Sequence, residues 1–357
     1  MKLTKFFALA LATLAIVGCE PTSGNTQTGD AVLTANNNSV EVNTPISFTV
    51  TATDGADLTA EAVIYDKSHD YVVVENPYTP TMDGEYEFYA VVGNIITPSI
   101  KVNVVPTVPA LPEDAQPENT SFNHRILLVD HTGNTCGYCP QMMAALKEVE
   151  ESGDYHTKYY EAMAHTYSSG DPAYSGAANV VSGHHGVSAY PTLTYNFYHS
   201  TTSSYNAAHI MGQIDALWKA EGADAGIAAA ATLASTSVIV NTEVKAAATN
   251  DYHITAWLLE DGIYAKQTNA PEEWMNTHNN DIRQRVTSDD ITGVDLGTIA
   301  AGETASTALT LKIIGNKWVR ENLKVMVIVS AKNEKGKFEV ANVAICPMND
   351  VVTYDYK

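Results

Sequence analysis

The sequence predicts an α/β domain flanked by two all-β domains. Stretches of alternating apolar and polar residues lie before residue 105 and after residue 222, the pattern of strands with one buried face. Between them, Ile126-Leu127-Leu128-Val129 is a continuous apolar run, as in a strand buried on both faces, and Pro140 to Glu151 is rich in helix formers. A chain of 357 residues has room for two or three domains of roughly 100–200 residues each.

Composition narrows the function classes. There are 20 basic and 41 acidic side chains, a formal charge of −21. The only arginines are 125, 283, 285 and 320. Such a field leaves no basic stripe for a phosphate backbone or an anionic membrane surface, so no nucleic-acid partner is expected. A hydrophobic content of 45% is enough to build real cores.

The chain opens with the basic stretch Met1 to Lys5 and an apolar run from Phe6 to Gly18. That run is shorter than the roughly 20 residues a bilayer-spanning helix needs, and it fits the core of a secretory signal. Ile16-Val17-Gly18-Cys19 follows and resembles the lipobox of bacterial lipoproteins. The resemblance implies a signal peptide at 1–18, acylation of Cys19 as the new N-terminus, and a membrane partner held through its lipid. Removal of Lys2 and Lys5 leaves 18 basic against 41 acidic residues, a charge of −23. Residues 20–30 contain no aliphatic or aromatic side chain, so 19–30 reads as a lipidated tether.

Residues 31–105 form the first expected β-domain, with strands at Ile46–Val50 and Tyr71–Val74. Asp83-Gly84-Glu85-Tyr86-Glu87-Phe88 resembles the tyrosine corner of immunoglobulin-like sandwiches. Phe88 stands where that motif has its second cysteine, which implies an Ig-like β-sandwich held by packing. It reads as a spacer. Residues 106–120 hold four of the 14 prolines and read as a semi-rigid linker.

Residues 121–221 form the expected α/β domain. After the strand at 126–129 and the helix at 140–151 come strands at Tyr159–Ala164 and Thr192–Phe197 and a helix at about 205–220. Residues 222–357 return to strand patterns at Ser237–Val244, His253–Leu259, Ala308–Ile313, Val325–Ser330 and Phe338–Ile345. An antiparallel β-sandwich is expected there. The polar stretch Gln267–Asp290 shows no periodicity; it carries Trp274, His278, Asn279, Arg283 and Arg285 and reads either as a ligand loop or as an ion-paired loop.

The chemistry concentrates at Cys136-Gly137-Tyr138-Cys139, directly after a buried strand and at the start of a helix. There the helix N–H groups and macrodipole favour thiolate on the first cysteine. The thiolate attacks a substrate disulfide, and the second cysteine resolves the mixed disulfide. The other reading is a disulfide that staples the helix start. Zinc is not expected, because a structural site takes four ligands and there is no second C-x-x-C. No cofactor is expected. His131 and His165 are the histidines expected to lie near Cys136 and tune its acidity. Cys346 ends an apolar strand and reads as a buried small hydrophobe.

Asp130, six residues before Cys136, and Tyr190-Pro191-Thr192-Leu193 resemble features of thioredoxin-fold proteins. The resemblance implies a thioredoxin-like α/β domain. In it Asp130 would be the proton acceptor for the inner cysteine, and Pro191 a cis-proline beside the disulfide that pairs with substrate backbone. Tyr138, Tyr190 and Thr192 would line the substrate side. Thr135 replaces the aromatic residue that thioredoxins place before the first cysteine. The order of lipobox, HTGNTCGYCP, AYPTLTYN, LLEDGIYAKQ and HNNDIRQRVT resembles the Omp-twenty-eight-related outer-membrane lipoproteins of Bacteroidetes. That implies an outer-membrane location, periplasmic or surface-exposed. Two functions follow as expectations: thiol–disulfide exchange on exported proteins, or a non-enzymatic surface protein binding a surface or host ligand.

Overall fold

The computed structural model describes residues 31–197, 201–288, 290–315 and 317–357. The expected signal peptide, Cys19 and tether lie outside the described residues. The described residues divide into two compact units: one comprises Ala31–Val40, Thr44–Thr79 and Glu85–Asn103, and the other Glu41–Asn43, Pro80–Gly84 and Val104–Lys357.

The N-terminal strands are β1 (Ala31–Ala35), β2 (Ser39–Glu41), β3 (Phe48–Ala52), β4 (Val63–Asp66), β5 (Val72–Val74), β6 (Gly84–Val92), β7 (Ile95–Ile96) and β8 (Ile100–Val105). β1 and β3 pair antiparallel, and the others form a sheet ordered β2-β8-β6-β4-β5 with β7 on β6. Alternation in β6 puts Tyr86, Phe88, Ala90 and Val92 inside. Phe88 is fully buried, 4.8 Å from the Phe48 ring and 5.7 Å from that of Tyr78, so aromatic packing fills this core.

The second unit runs β9 (Ile126–Thr132), α1 (Cys139–Glu151), β10 (Tyr159–His165), α2 (Gly176–His184), β11 (Thr192–Tyr195), β12 (Thr201–Thr202), α3 (Ala207–Leu217), β13 (Ala225–Leu233), β14 (Ser237–Ala246), β15 (Asn250–Glu260), β16 (Ile263–Tyr264), β17 (Thr277–His278), β18 (Asp281–Arg285), β19 (Val294–Ile299), β20 (Thr304–Lys312), β21 (Leu323–Lys332), β22 (Phe338–Pro347) and β23 (Val351–Val352). Nine strands form one sheet in the order β12-β11-β9-β10-β18-β15-β21-β22, with β19 also on β15. β10 is parallel to both β9 and β18, and β11 is antiparallel to β9.

This corrects the expected fold class. Among the described residues the protein is mostly β, with 43% strand against 14% helix, and they show no α/β thioredoxin-like core between two β-domains. β9 to β12 continue through β18 into the C-terminal strands of the same sheet. The join comes from the polar stretch that carries no strand periodicity. β18 has Asp281 and Arg283 alternating with Ile282, all buried, and their charges conceal a central strand.

A second sheet, β20-β14-β13-β23, packs on the C-terminal half of the large one. Val238, Val240 and Val244 of β14 meet Ile254, Val325 and Val327 of β15 and β21 in one buried cluster. Cys346 lies in this cluster, fully buried, and burial pushes its thiol up to about 11. The other half of the sheet is covered by helices. Ile126 and Leu128 meet Met142 and Leu146 of α1 and Ile210 and Ile214 of α3, whereas Leu127 and Val129 meet Ala178 and Val181 of α2. Alternation along β9 thus assigns odd residues to the α2 face and even ones to the α1 face. The Pro-rich segment is docked on β14: the buried Lys245 amine donates to Asp114 at 3.0 Å, to the Gln116 carbonyl at 3.2 Å and to the Pro117 carbonyl.

Candidate functional site

Cys136 and Cys139 form a disulfide at the start of α1. Pro140 occupies the first helical turn, where its missing N–H costs nothing, and Tyr138 at the N-cap supplies no side-chain acceptor. The first-turn N–H groups are therefore not taken by a side-chain cap. Tyr138 is 65% exposed, whereas Cys136 is 2% exposed and Cys139 fully buried.

The cover over Cys136 comes from the segment between β16 and β17. Gln267 Nε2 donates to the Cys136 carbonyl at 2.9 Å, Asn269 Nδ2 to that of Gly137 at 3.2 Å, and the Thr268 amide to that of Asn134 at 2.7 Å. Gly137 permits this approach, since a Cβ there would stand 2.8 Å from Asn269 Nδ2. The turn is also held from below, where Asp171 Oδ2 accepts the Asn134 amide at 2.7 Å.

Asp130 lies on the α1 face of β9, fully buried, and neither carboxyl oxygen has a hydrogen-bond partner among the described residues. Burial pushes its carboxyl up to about 7, partly offset by His165. Glu161 on β10 lines the same cavity, and burial together with Asp130 pushes it up to about 8.

His165 does not flank the disulfide directly. Its ring lies between two buried carboxyls: Nδ1 is 2.7 Å from Asp171 and Nε2 is 3.1 Å from Asp281, the latter close enough to pair but poorly aligned for a hydrogen bond. Burial alone would lower its pKa, but Asp281 and Asp171 raise it. Asp281 is pushed up to about 7 by burial against the opposing pull of His165 and Arg283. His165 therefore reaches the cysteine turn through Asp171 and Asn134. His131 lies on the opposite face, its ring nitrogens 2.8 Å from Ser182 Oγ and 3.0 Å from Thr194 Oγ1. Burial and His185 lower it to about 3, so it is a neutral group.

The peptide bond before Pro191 is cis. Tyr190 Oη lies 3.0 Å from Thr166 Oγ1, and its ring meets Tyr167 edge-on. Thr192 begins β11 opposite His131, with its hydroxyl donating to the Ala189 carbonyl at 2.9 Å. Asp171 and Glu161 escape sequence reasoning, because isolated polar residues in loops and strands carry no periodicity, whereas Asp281 and the Gln267–Asn269 cover fall within the polar stretch 267–290, whose role the sequence leaves open between a ligand loop and an ion-paired loop.

A cavity of about 700 Å³ opens beside Asp130, between α1, β10 and the segment around Trp274. Among the described residues no group of His, Cys, Asp or Glu is arranged to hold a metal ion, and no helix is long and apolar enough to cross a membrane.

The family model described as Outer membrane protein Omp28 matches residues 179–349. Among solved structures, HBP35 of Porphyromonas gingivalis aligns with a TM-score of 0.52 at 15% identity, covering 64% of this chain and 77% of that one. At that identity the likeness is one of fold. No curated protein matches the chain.

Proposed function

We propose that the Cys136–Cys139 pair exchanges thiols and disulfides with exported proteins, in a chain whose residues 179–349 match the Omp28 outer-membrane protein family model. The observation that carries this reading is the pairing of a disulfide at a helix start without a side-chain cap with an unpartnered buried carboxyl, Asp130, on the strand that feeds it. A desolvated carboxyl without hydrogen bonds is a standing cost to folding, and such groups cluster where proton transfer is needed.

The exchange runs in balanced steps. A substrate thiolate attacks Cys136 Sγ, the Cys136–Cys139 bond breaks, and Cys139 leaves as thiolate and takes a proton from Asp130. The second substrate thiolate attacks the substrate sulfur of the mixed disulfide and releases Cys136 as thiolate, which the helix N-terminus stabilises. The substrate leaves as a disulfide, its two electrons now held by the reduced Cys136/Cys139 pair, and a second disulfide reoxidises the pair as it is itself reduced to two thiols. Pro191 and Thr192 present backbone to the substrate, with Tyr138 and Tyr190 beside it. Acylated Cys19 anchors the protein in the membrane.

One observation favours a second reading, in which the protein binds a surface or host ligand and the disulfide is structural: Gln267 and Asn269 cover a Cys136 that is 2% exposed. The reduction potential of the full chain separates the two. Equilibration across glutathione ratios with thiol trapping is expected to give a value between about −120 and −270 mV. A value below about −300 mV would leave the pair a structural bridge.

A further inference from the structure

We propose that the cavity beside Asp130 binds an organic cation, a guanidinium or primary amine carried on an apolar stem. The cavity shares Asp130 with the thiol reading, but it lies along α1 and β10 and neither cysteine lines it.

The floor is acidic. Asp130 and Glu161 both line the cavity, and Asp130 is fully buried with both oxygens unpartnered. An ionised carboxylate in such a place needs a positive partner to offset its lost hydration. The chain's own cations provide it only in part: His165 acts on Asp130 from between Asp171 and Asp281, and Lys324 acts weakly on Glu161. Lys324 at the rim is held by Asp261 at 2.6 Å, and Lys147 reaches Glu151 at 3.4 Å. The walls suit the stem of such a ligand. Met143 and Met163 offer adaptable apolar surface, and Trp274 offers a ring face. Lys147 already lies 5.0 Å from the centre of that ring, so the indole accepts a cation where the ligand would sit. A metal ion fits poorly, since no described cluster has the ligands for one. The volume of about 700 Å³ is within the usual range of small-molecule sites, roughly 300–1,000 Å³.

The test is calorimetric titration of the oxidised full chain with agmatine at physiological salt, against butylurea, which has a similar shape and no charge. Saturable one-to-one binding of agmatine is expected, with no binding of butylurea. Glu161→Gln should weaken agmatine about tenfold and Trp274→Ala several-fold. Removing a desolvated carboxyl should leave Glu161→Gln at least as thermally stable as the parent, so loss of folding cannot account for its lost affinity. Equal binding of butylurea would overturn the proposal. So would unchanged agmatine affinity in both variants, which would mark general attraction to an acidic surface, or no saturation below about 10 mM. None of these outcomes bears on the reduction potential, so this proposal and the thiol reading fail separately.

Discussion

Asp171 binds His165 through the same carboxylate oxygen that accepts the Asn134 amide, each at 2.7 Å. A buried charge pair is thereby tied to the turn that delivers Cys136. His165 is fully buried and Asp171 nearly so, so the pair is shielded from solvent and salt.

Asp171→Asn keeps the shape but removes the charge that supports His165. Breaking a buried pair from one side costs about 3–5 kcal/mol, and urea unfolding should show a loss near the lower end, because Asp281 remains 3.1 Å from the ring. The same substitution weakens the acceptor for Asn134. Cys136 in the variant should therefore be reduced by dithiothreitol faster than in the parent, and an unchanged rate would show that the turn is held from above alone.

The cover makes its own prediction. Gly137→Ala places a Cβ 2.8 Å from Asn269 Nδ2, the far end of a flexible side chain, so Asn269 should swing away at a cost of less than about 1 kcal/mol. Reduction of the disulfide should speed up while the melting temperature barely moves. Reduction itself should cost little stability. The cysteines are three positions apart, and closing so short a loop is worth about 2 kcal/mol in the chain-entropy account. Denaturation with and without reductant measures this directly. A loss well above that value would mean the disulfide organises far more than the helix start.

Asp130 should write itself into the pH dependence of stability. Its folded pKa of about 7 lies above the ordinary aspartate value of 3.8. Between those two values the folded protein keeps a proton that the unfolded chain has lost, so stability falls as pH rises through that window and levels off above about 7. Asp130→Asn removes this term. Its stability relative to the parent should improve by about 3 kcal/mol between pH 5 and pH 8, whatever offset the buried amide adds at every pH. Parallel stability curves for the two proteins would mean that Asp130 is not a desolvated titrating group.

The parts of this molecule legible in its sequence are those whose signal is local. β9 is a short apolar run, α1 opens with a cysteine pair and a proline, and the cysteines are close enough to pair whatever the distant chain does. β13 is less legible, because its alanines at 228–231 carry helix propensity and become a strand through pairing with β14. The fold class is misread at β18, where the link between β10 and β15 is made by a strand reading Asp-Ile-Arg-Gln-Arg. Burial of Asp281 and Arg283 is possible because His165 and Glu260 neutralise them, and those partners lie too far away in sequence to be foreseen.

That pairing is the basis of the last prediction. Arg283 Nε lies 2.9 Å from Glu260, its Nη1 donates to the Pro172 carbonyl at 3.1 Å, and its guanidinium stacks 5.3 Å from the Trp318 ring. Glu260 in turn accepts the Val319 amide at 2.7 Å. Arg283→Met alone leaves Glu260 as a buried charge without its cation, and should cost about 3–5 kcal/mol. Arg283→Met combined with Glu260→Leu replaces both charges with apolar volume, and should recover most of that loss, because apolar replacement of a buried pair is often neutral or stabilising. The double-mutant cycle measures the coupling. A double variant no better than Arg283→Met would show that the Pro172 and Val319 hydrogen bonds, rather than the ion pair, hold β18 in the sheet.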